Sequence, residues 1–174
     1  YQKQSYRNRC RIATANGIMD LSIPVDSAGK TPIRDLRISD HNNWQTQHWR
    51  SIETAYNSSP FFEYYFDDLK PFFEKKWVFL WDFNTAIQQT ILELLELDVK
   101  ITLTDKYETE HSERMIDLRD KIHPKKEAFI EIKPYYQVFE QKFGFIPHLS
   151  ILDLLFNMGN EAQLTIENQL IKID

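Results

Sequence analysis

The chain is poor in the residues that most often announce a chemistry. It has one cysteine, Cys10, in 174 residues, which excludes an internal disulfide framework and any metal cluster built on cysteine. Its glycines, Gly17, Gly29, Gly144 and Gly159, stand too far apart for a glycine-rich phosphate loop of either common spacing. No apolar run approaches the roughly 20 residues needed to cross a bilayer. Positive charge is not in excess: 21 Lys and Arg face 26 Asp and Glu, for a net charge of −5. Net charge therefore gives no grip on nucleic acid, and none is expected as a partner. No charged start leads into an apolar stretch as in a signal peptide, so a cytoplasmic location is expected. The chain opens on Tyr1 rather than Met, as a processed or partial sequence would.

What the chain has is an ordinary globular balance, 42% hydrophobic and 27% charged, at a length that fits one domain with a sizeable core. It also has aromatics, 14% of all residues, as 12 Phe, 8 Tyr and 4 Trp. Tyr6 to Thr14 and Ile18 to Val25 read as two strands of a β-hairpin. Asn16-Gly17 between them is the turn signal, because both residues accept positive φ. Asp26 to Pro32 reads as a loop and Ile33 to Ile38 as a third strand. Asp40 reads as the cap of a helix over Asn43 to Asn57. Ser59-Pro60 reads as a cap and first helical residue, and Pro71 opens a largely helical stretch to Leu97. Lys100 to Thr104 has the β-branched content of a short strand, and Asp105 to Asp120 is a polar surface segment. Ser150-Ile-Leu-Asp153 resembles a capping box opening a helix that Gly159 ends. No repeat or linker divides the chain. The expectation is a single α+β domain over 1–174, with a small N-terminal sheet built on the hairpin and packed against several helices.

Three groups of residues could carry chemistry. Arg7, Arg9 and Arg11 share one strand face at about 6.6 Å spacing, with Lys3 on the same parity. Such a stripe could grip a pyrophosphate or carboxylate through bidentate hydrogen bonds, or could be a solvated face paired with acids. Tyr6, Asn8, Cys10 and Ile12 lie opposite, where Cys10 reads as a small core residue. On the helix from Asn43, Trp49, Ile52 and Tyr56 form a core stripe, and Trp44, His48, Ser51 and Ala55 form the next. His48 and Ser51, three apart, are neighbours in which the imidazole could act as a base. The third group is the aromatic run from Phe61 to Trp81. It reads mainly as core, although Tyr64 and Tyr65 cannot both point inward, and a Tyr face suits stacking on a sugar. The carboxylates and His111 between Glu108 and Glu113 lack metal-ligand spacing, and His41, His123 and His148 each stand alone, so no metal and no cofactor is expected.

Several long runs resemble one family. They are Tyr1-Gln-Lys-Gln-Ser-Tyr-Arg-Asn-Arg-Cys-Arg-Ile, then Asn16-Gly17 with Leu21-Ser-Ile-Pro-Val25, then Asn43-Trp-Gln-Thr-Gln-His-Trp-Arg-Ser-Ile, Tyr56 and Ser59-Pro-Phe-Phe-Glu-Tyr64, and finally Gly144-Phe-Ile-Pro-His-Leu-Ser-Ile-Leu-Asp-Leu-Leu-Phe-Asn157. Together they resemble the WbqC-like family. The resemblance implies a place in bacterial surface-polysaccharide (O-antigen) biosynthesis and, for some members, transfer of an acyl or aminoacyl group onto an amino sugar. It also implies a first strand upstream of Tyr1 that this chain lacks. On this reading the catalytic candidates are His48 and Ser51. The substrate-binding candidates are Tyr6, Arg7, Asn8, Arg9, Trp44 and Tyr64, and the partner is a small molecule such as a nucleotide sugar, with homo-oligomers open. The alternative is a non-catalytic binding or assembly protein that uses an exposed aromatic patch.

Overall fold

The structure is a computed structural model that describes residues 5–26, 31–40, 42–105, 116–119, 121–126 and 130–169. Lys3, His41, His111 and the Glu108–Glu113 run lie outside the described residues. Strands β1 (Arg9–Thr14) and β2 (Gly17–Ser22) form the expected antiparallel hairpin. Thr14 faces Gly17, so the tight connection is Ala15-Asn16. The Thr14 hydroxyl accepts from Asn16 N at 3.2 Å and donates to the Gly17 carbonyl at 2.8 Å. Asn16 does not take the positive φ expected of it; Gly17 alone does, at 102°.

Pro24, which cannot donate to a ladder, sits between β2 and β3 (Val25–Asp26). The expected third strand is realised only in part. Ile33–Asp35 winds into a 3₁₀ turn, and β4 (Arg37–Ile38) pairs with β3. Helix α1 (Trp44–Tyr56) starts at Asn43, not at Asp40, whose carboxylate instead meets Lys76 at 2.7 Å. α2 (Phe62–Leu69) begins two residues later than Ser59-Pro60 suggests, because Phe61 N is drawn to the Phe156 carbonyl at 3.0 Å. Pro71 opens the short α3 (Pro71–Glu74), and α4 (Leu80–Leu94) follows. Residues 100–104 form no strand; strand preference is expressed only where a neighbouring edge is available. α5 (Glu140–Phe143), α6 (Ile151–Met158) and α7 (Ala162–Gln169) complete the α+β order.

The aromatic run is core. The Trp49 ring lies 5.1 Å from Phe66, 5.4 Å from Phe73 and 6.1 Å from Phe62. Phe156 of α6 meets both Phe62 and Tyr56 at 5.1 Å. From Phe61 to Trp81 only the rings of Phe61 and Tyr64 are exposed. β1 is the floor onto which α1 and α6 pack, and its backbone is held by both. Ser150 N donates to the Arg11 carbonyl at 2.7 Å, and Ala13 N donates to the Tyr56 hydroxyl at 3.2 Å.

Candidate functional site

Two concavities flank the start of β1. The smaller, about 180 Å³, is lined by Tyr6, Arg7, Asn8 and Arg9, by His48 of α1 and by Asn84 of α4, over an apolar base that includes Ile52, Phe73 and Phe83. Five of the candidate residues therefore meet around one hollow. They meet because the chain enters β1 across the gap between α1 and α4. Asn84 Nδ2 donates to the Arg7 carbonyl at 2.8 Å, and Asn8 Nδ2 donates to the Ile23 carbonyl at 2.9 Å, fixing the chain before the strand starts. Arg7 lies ahead of the strand and donates to the Arg119 carbonyl at 3.3 Å. Asp20 on β2 stands between the other two stripe residues, 3.2 Å from Arg11 and 3.9 Å from Arg9. The Nε of Arg9 is buried without a hydrogen-bond partner, an orphan donor at the wall of the hollow.

His48 is half-buried, and burial pushes its pKa down to about 4 against a hydrogen bond with the Ser22 backbone. It is thus a neutral imidazole at physiological pH. With one nitrogen engaged by Ser22, the other is the ring's acceptor. Trp44 is buried beneath it, ring centroids 5.2 Å apart, and supports His48 without reaching either hollow. Ser51 lines neither hollow; its hydroxyl turns back to the Gln47 carbonyl at 2.9 Å, the usual fate of a mid-helix serine. Tyr64 is 71% exposed and also lines neither. Cys10 lines both hollows, and burial raises its thiol to about 11, so it is protonated and not a nucleophile at neutral pH.

The larger hollow, about 460 Å³, shares Tyr6, Cys10 and Ser150 with the first. Arg11 lines it together with residues 121–124, 126, 130, 132 and 148–150. Asn84 and the 121–126 segment carry no sequence pattern that would have singled them out. Asp153 does: it is a lone carboxylate in the apolar run Ile151-Leu-Asp-Leu-Leu-Phe156. It does not reach back to the helix start as a capping box would, since Ser150 N is spent on Arg11. Instead it is fully buried and accepts from Tyr56 (2.8 Å), Tyr135 (2.8 Å) and Gln137 (3.0 Å). It lines neither hollow and ties β1, α1, α6 and residues 135–137 together.

The architecture around Arg7–Arg9 and His48 falls inside the part of the chain with a recognisable ancestry. The sequence profile of the WbqC-like protein family matches residues 1–127. This chain belongs to that family. The smaller hollow of the WbqC-like chain is lined mainly from within the matched residues, whereas Gly144–Asn157, read above as part of the family pattern, lies beyond them. An uncharacterized protein of Mycobacterium tuberculosis, Rv1507c, is 28% identical to it over 189 residues, covering 93% of this chain and 81% of its own length. No solved structure matches it. Among the described residues, no helix is long and apolar enough to cross a membrane.

Proposed function

We propose that this WbqC-like protein transfers a small acyl or aminoacyl group onto an amino sugar in bacterial surface-polysaccharide biosynthesis. The observation that carries the reading is the convergence of Arg7, Asn8, Arg9 and His48 on a hollow of about 180 Å³. That volume lies below the roughly 300–1,000 Å³ of whole small-molecule sites, so it takes a small group or one end of a ligand. The guanidinium of Arg9, which lines the hollow, supplies a charge-assisted donor to a carbonyl or carboxylate oxygen there. Neutral His48 accepts a hydrogen bond from the attacking amine, whose nitrogen lone pair bonds to the acyl carbon; the bond from that carbon to the donor's carrier breaks, the carrier leaves with the bonding pair, and the amine gives up one proton. A resting pKa of about 4 makes it a weak base. Proton uptake therefore follows only when an anionic ligand beside it raises its proton affinity. Family membership supports the pathway, and the hollow supports the role of its lining.

The test is a thermal-shift screen of acyl donors and nucleotide-linked amino sugars, followed by turnover assays on the hits. A ligand at 100 times its Kd stabilises by about 2.7 kcal/mol, which such a screen resolves. Arg9→Lys keeps the charge but loses the planar fork and is expected to weaken binding roughly tenfold. His48→Gln is expected to lower turnover by about 10²-fold or more while binding changes little. Hits that bind and turn over equally in both variants would remove the smaller hollow from the chemistry.

A further inference from the structure

The larger hollow differs in character from the smaller. Arg11 from β1, Lys121, His123 and Lys126 from the 121–126 segment, and His148 from the approach to α6 all line it. This gathering occurs in a chain of net charge −5. Three separate stretches of sequence bring their basic side chains to one concavity, so the local sequence of no single stretch explains it. Arg11 is also held by Asp20 at 3.2 Å, which fixes the direction of its guanidinium. His123 Nδ1 accepts from Lys125 N at 3.1 Å, which places the proton of a neutral ring on Nε2 and makes that atom a donor. His148 has a left-handed backbone, φ 60°, one of two such non-glycine residues among those described; conformations of this kind cost energy and concentrate at ligand-binding positions. The remaining lining is apolar, with Ile122, Ile130, Ile132 and Leu149. At about 460 Å³ the hollow lies within the range of whole small-molecule sites.

We infer that this larger hollow binds the phosphate-bearing part of a small organic ligand, with its apolar wall covering the organic body. Lysines and imidazoles reaching in from different directions suit an anion with several oxygens and more than one charge. A single carboxylate offers too few acceptors to engage them together. The two hollows share Tyr6, Cys10 and Ser150, so a phosphate held in the larger lies next to the lining of the smaller. The inference thus rests on and deepens the transferase reading, yet binding alone tests it.

The experiment is calorimetric titration of the protein with inorganic pyrophosphate, uridine diphosphate and succinate, at low and high salt. Pyrophosphate and uridine diphosphate are expected to bind, the second more tightly through the apolar wall, and both more weakly as salt screens the charges. Lys121 and Lys126 are exposed, so the double change Lys121→Met and Lys126→Met leaves the core intact, which circular dichroism checks. It is expected to weaken pyrophosphate roughly tenfold or more, while Lys100→Met, at an exposed lysine that lines neither hollow, leaves it within about twofold. The inference is overturned if neither phosphate compound binds at millimolar concentration, if succinate binds as well as pyrophosphate, or if Lys100→Met weakens binding as much as the lysine pair. Phosphate binding without any group transfer would instead overturn only the transferase reading.

Discussion

Asp153 shows how one residue can organise a fold without being part of its surface chemistry. Among the described residues its partners are neutral donors, the hydroxyls of Tyr56 and Tyr135 and the amide of Gln137. Burial pushes its pKa up, and those three hydrogen bonds pull the other way. A carboxyl with a raised folded-state pKa contributes its stability in full below the unfolded value; that contribution is lost as pH rises through the folded value. Tyr56→Phe removes a bond that favours the ionised form and leaves Ala13 N without its acceptor. It is expected to cost about 2 kcal/mol. The loss is expected to be larger at pH 7 than at pH 4, because the unassisted carboxylate is then ionised. Urea unfolding at the two pH values measures both, and a pH-independent loss would mean the bond does not discriminate the charge state. His48 has the opposite sign. Its folded value, about 4, lies below the ordinary 6.5, so its contribution is present above pH 6.5 and is lost as pH falls toward 4. Nuclear magnetic resonance titration of the ring is expected to show a midpoint near 4; a midpoint near 6.5 would contradict its burial.

At the scale of elements, the hairpin is held by what packs on its backbone. The α6 start supplies Ser150 N, and α1 supplies the Tyr56 hydroxyl. The helix pair α2 and α6 is set in turn by Gly159, which ends α6 at φ 56°; a Cβ placed there would lie 2.5 Å from the Phe61 ring. Gly17 at the hairpin also needs positive φ, 102°, but has nothing within 4 Å of a modest side chain. The two glycines therefore separate backbone strain from crowding. Gly17→Ala is expected to cost about 1–2 kcal/mol from the backbone alone. Gly159→Ala is expected to cost about 1–3 kcal/mol more, because Phe61 must move. Equal losses in thermal unfolding would show that the ring swings aside freely.

For the whole molecule, the segment after α4 is the place where association is expected. Val99, Ile101 and Leu103 are 54%, 49% and 60% exposed and alternate with Lys100, Thr102 and Thr104, the pattern of a strand without a neighbour. Alternating apolar segments of this kind offer backbone and side chains to another chain. Ile101→Lys is expected to reduce concentration-dependent light scattering without lowering the melting temperature, since the side chain contributes little to the core. Unchanged scattering would place any association elsewhere on the surface.

The sequence determined those features that depend on neighbours along the chain. Asn16-Gly17 marked the hairpin, the spacing of Trp49, Ile52 and Tyr56 marked the core face of α1, Gly159 marked the end of α6, and the crowding of Phe and Trp marked the core. Each follows from local conformational preference or helical period, which one segment carries by itself. The tertiary structure decided what depends on segments far apart. The hairpin register put Asp20 beside Arg9 and Arg11 and so divided an apparent stripe of cations between two hollows. Packing of α1 against α6 turned Asp153 inward to three donors and made Tyr56 a polar anchor as well as a core residue. Residues 100–104 stayed unpaired because a strand needs a partner that no local preference can supply. His48 was legible as a candidate, but its neutrality was not: the Trp44 ring four residues away is a neighbour within α1, whereas the burial that lowers its pKa and the contact with the Ser22 backbone come only with tertiary packing, β2 lying against α1.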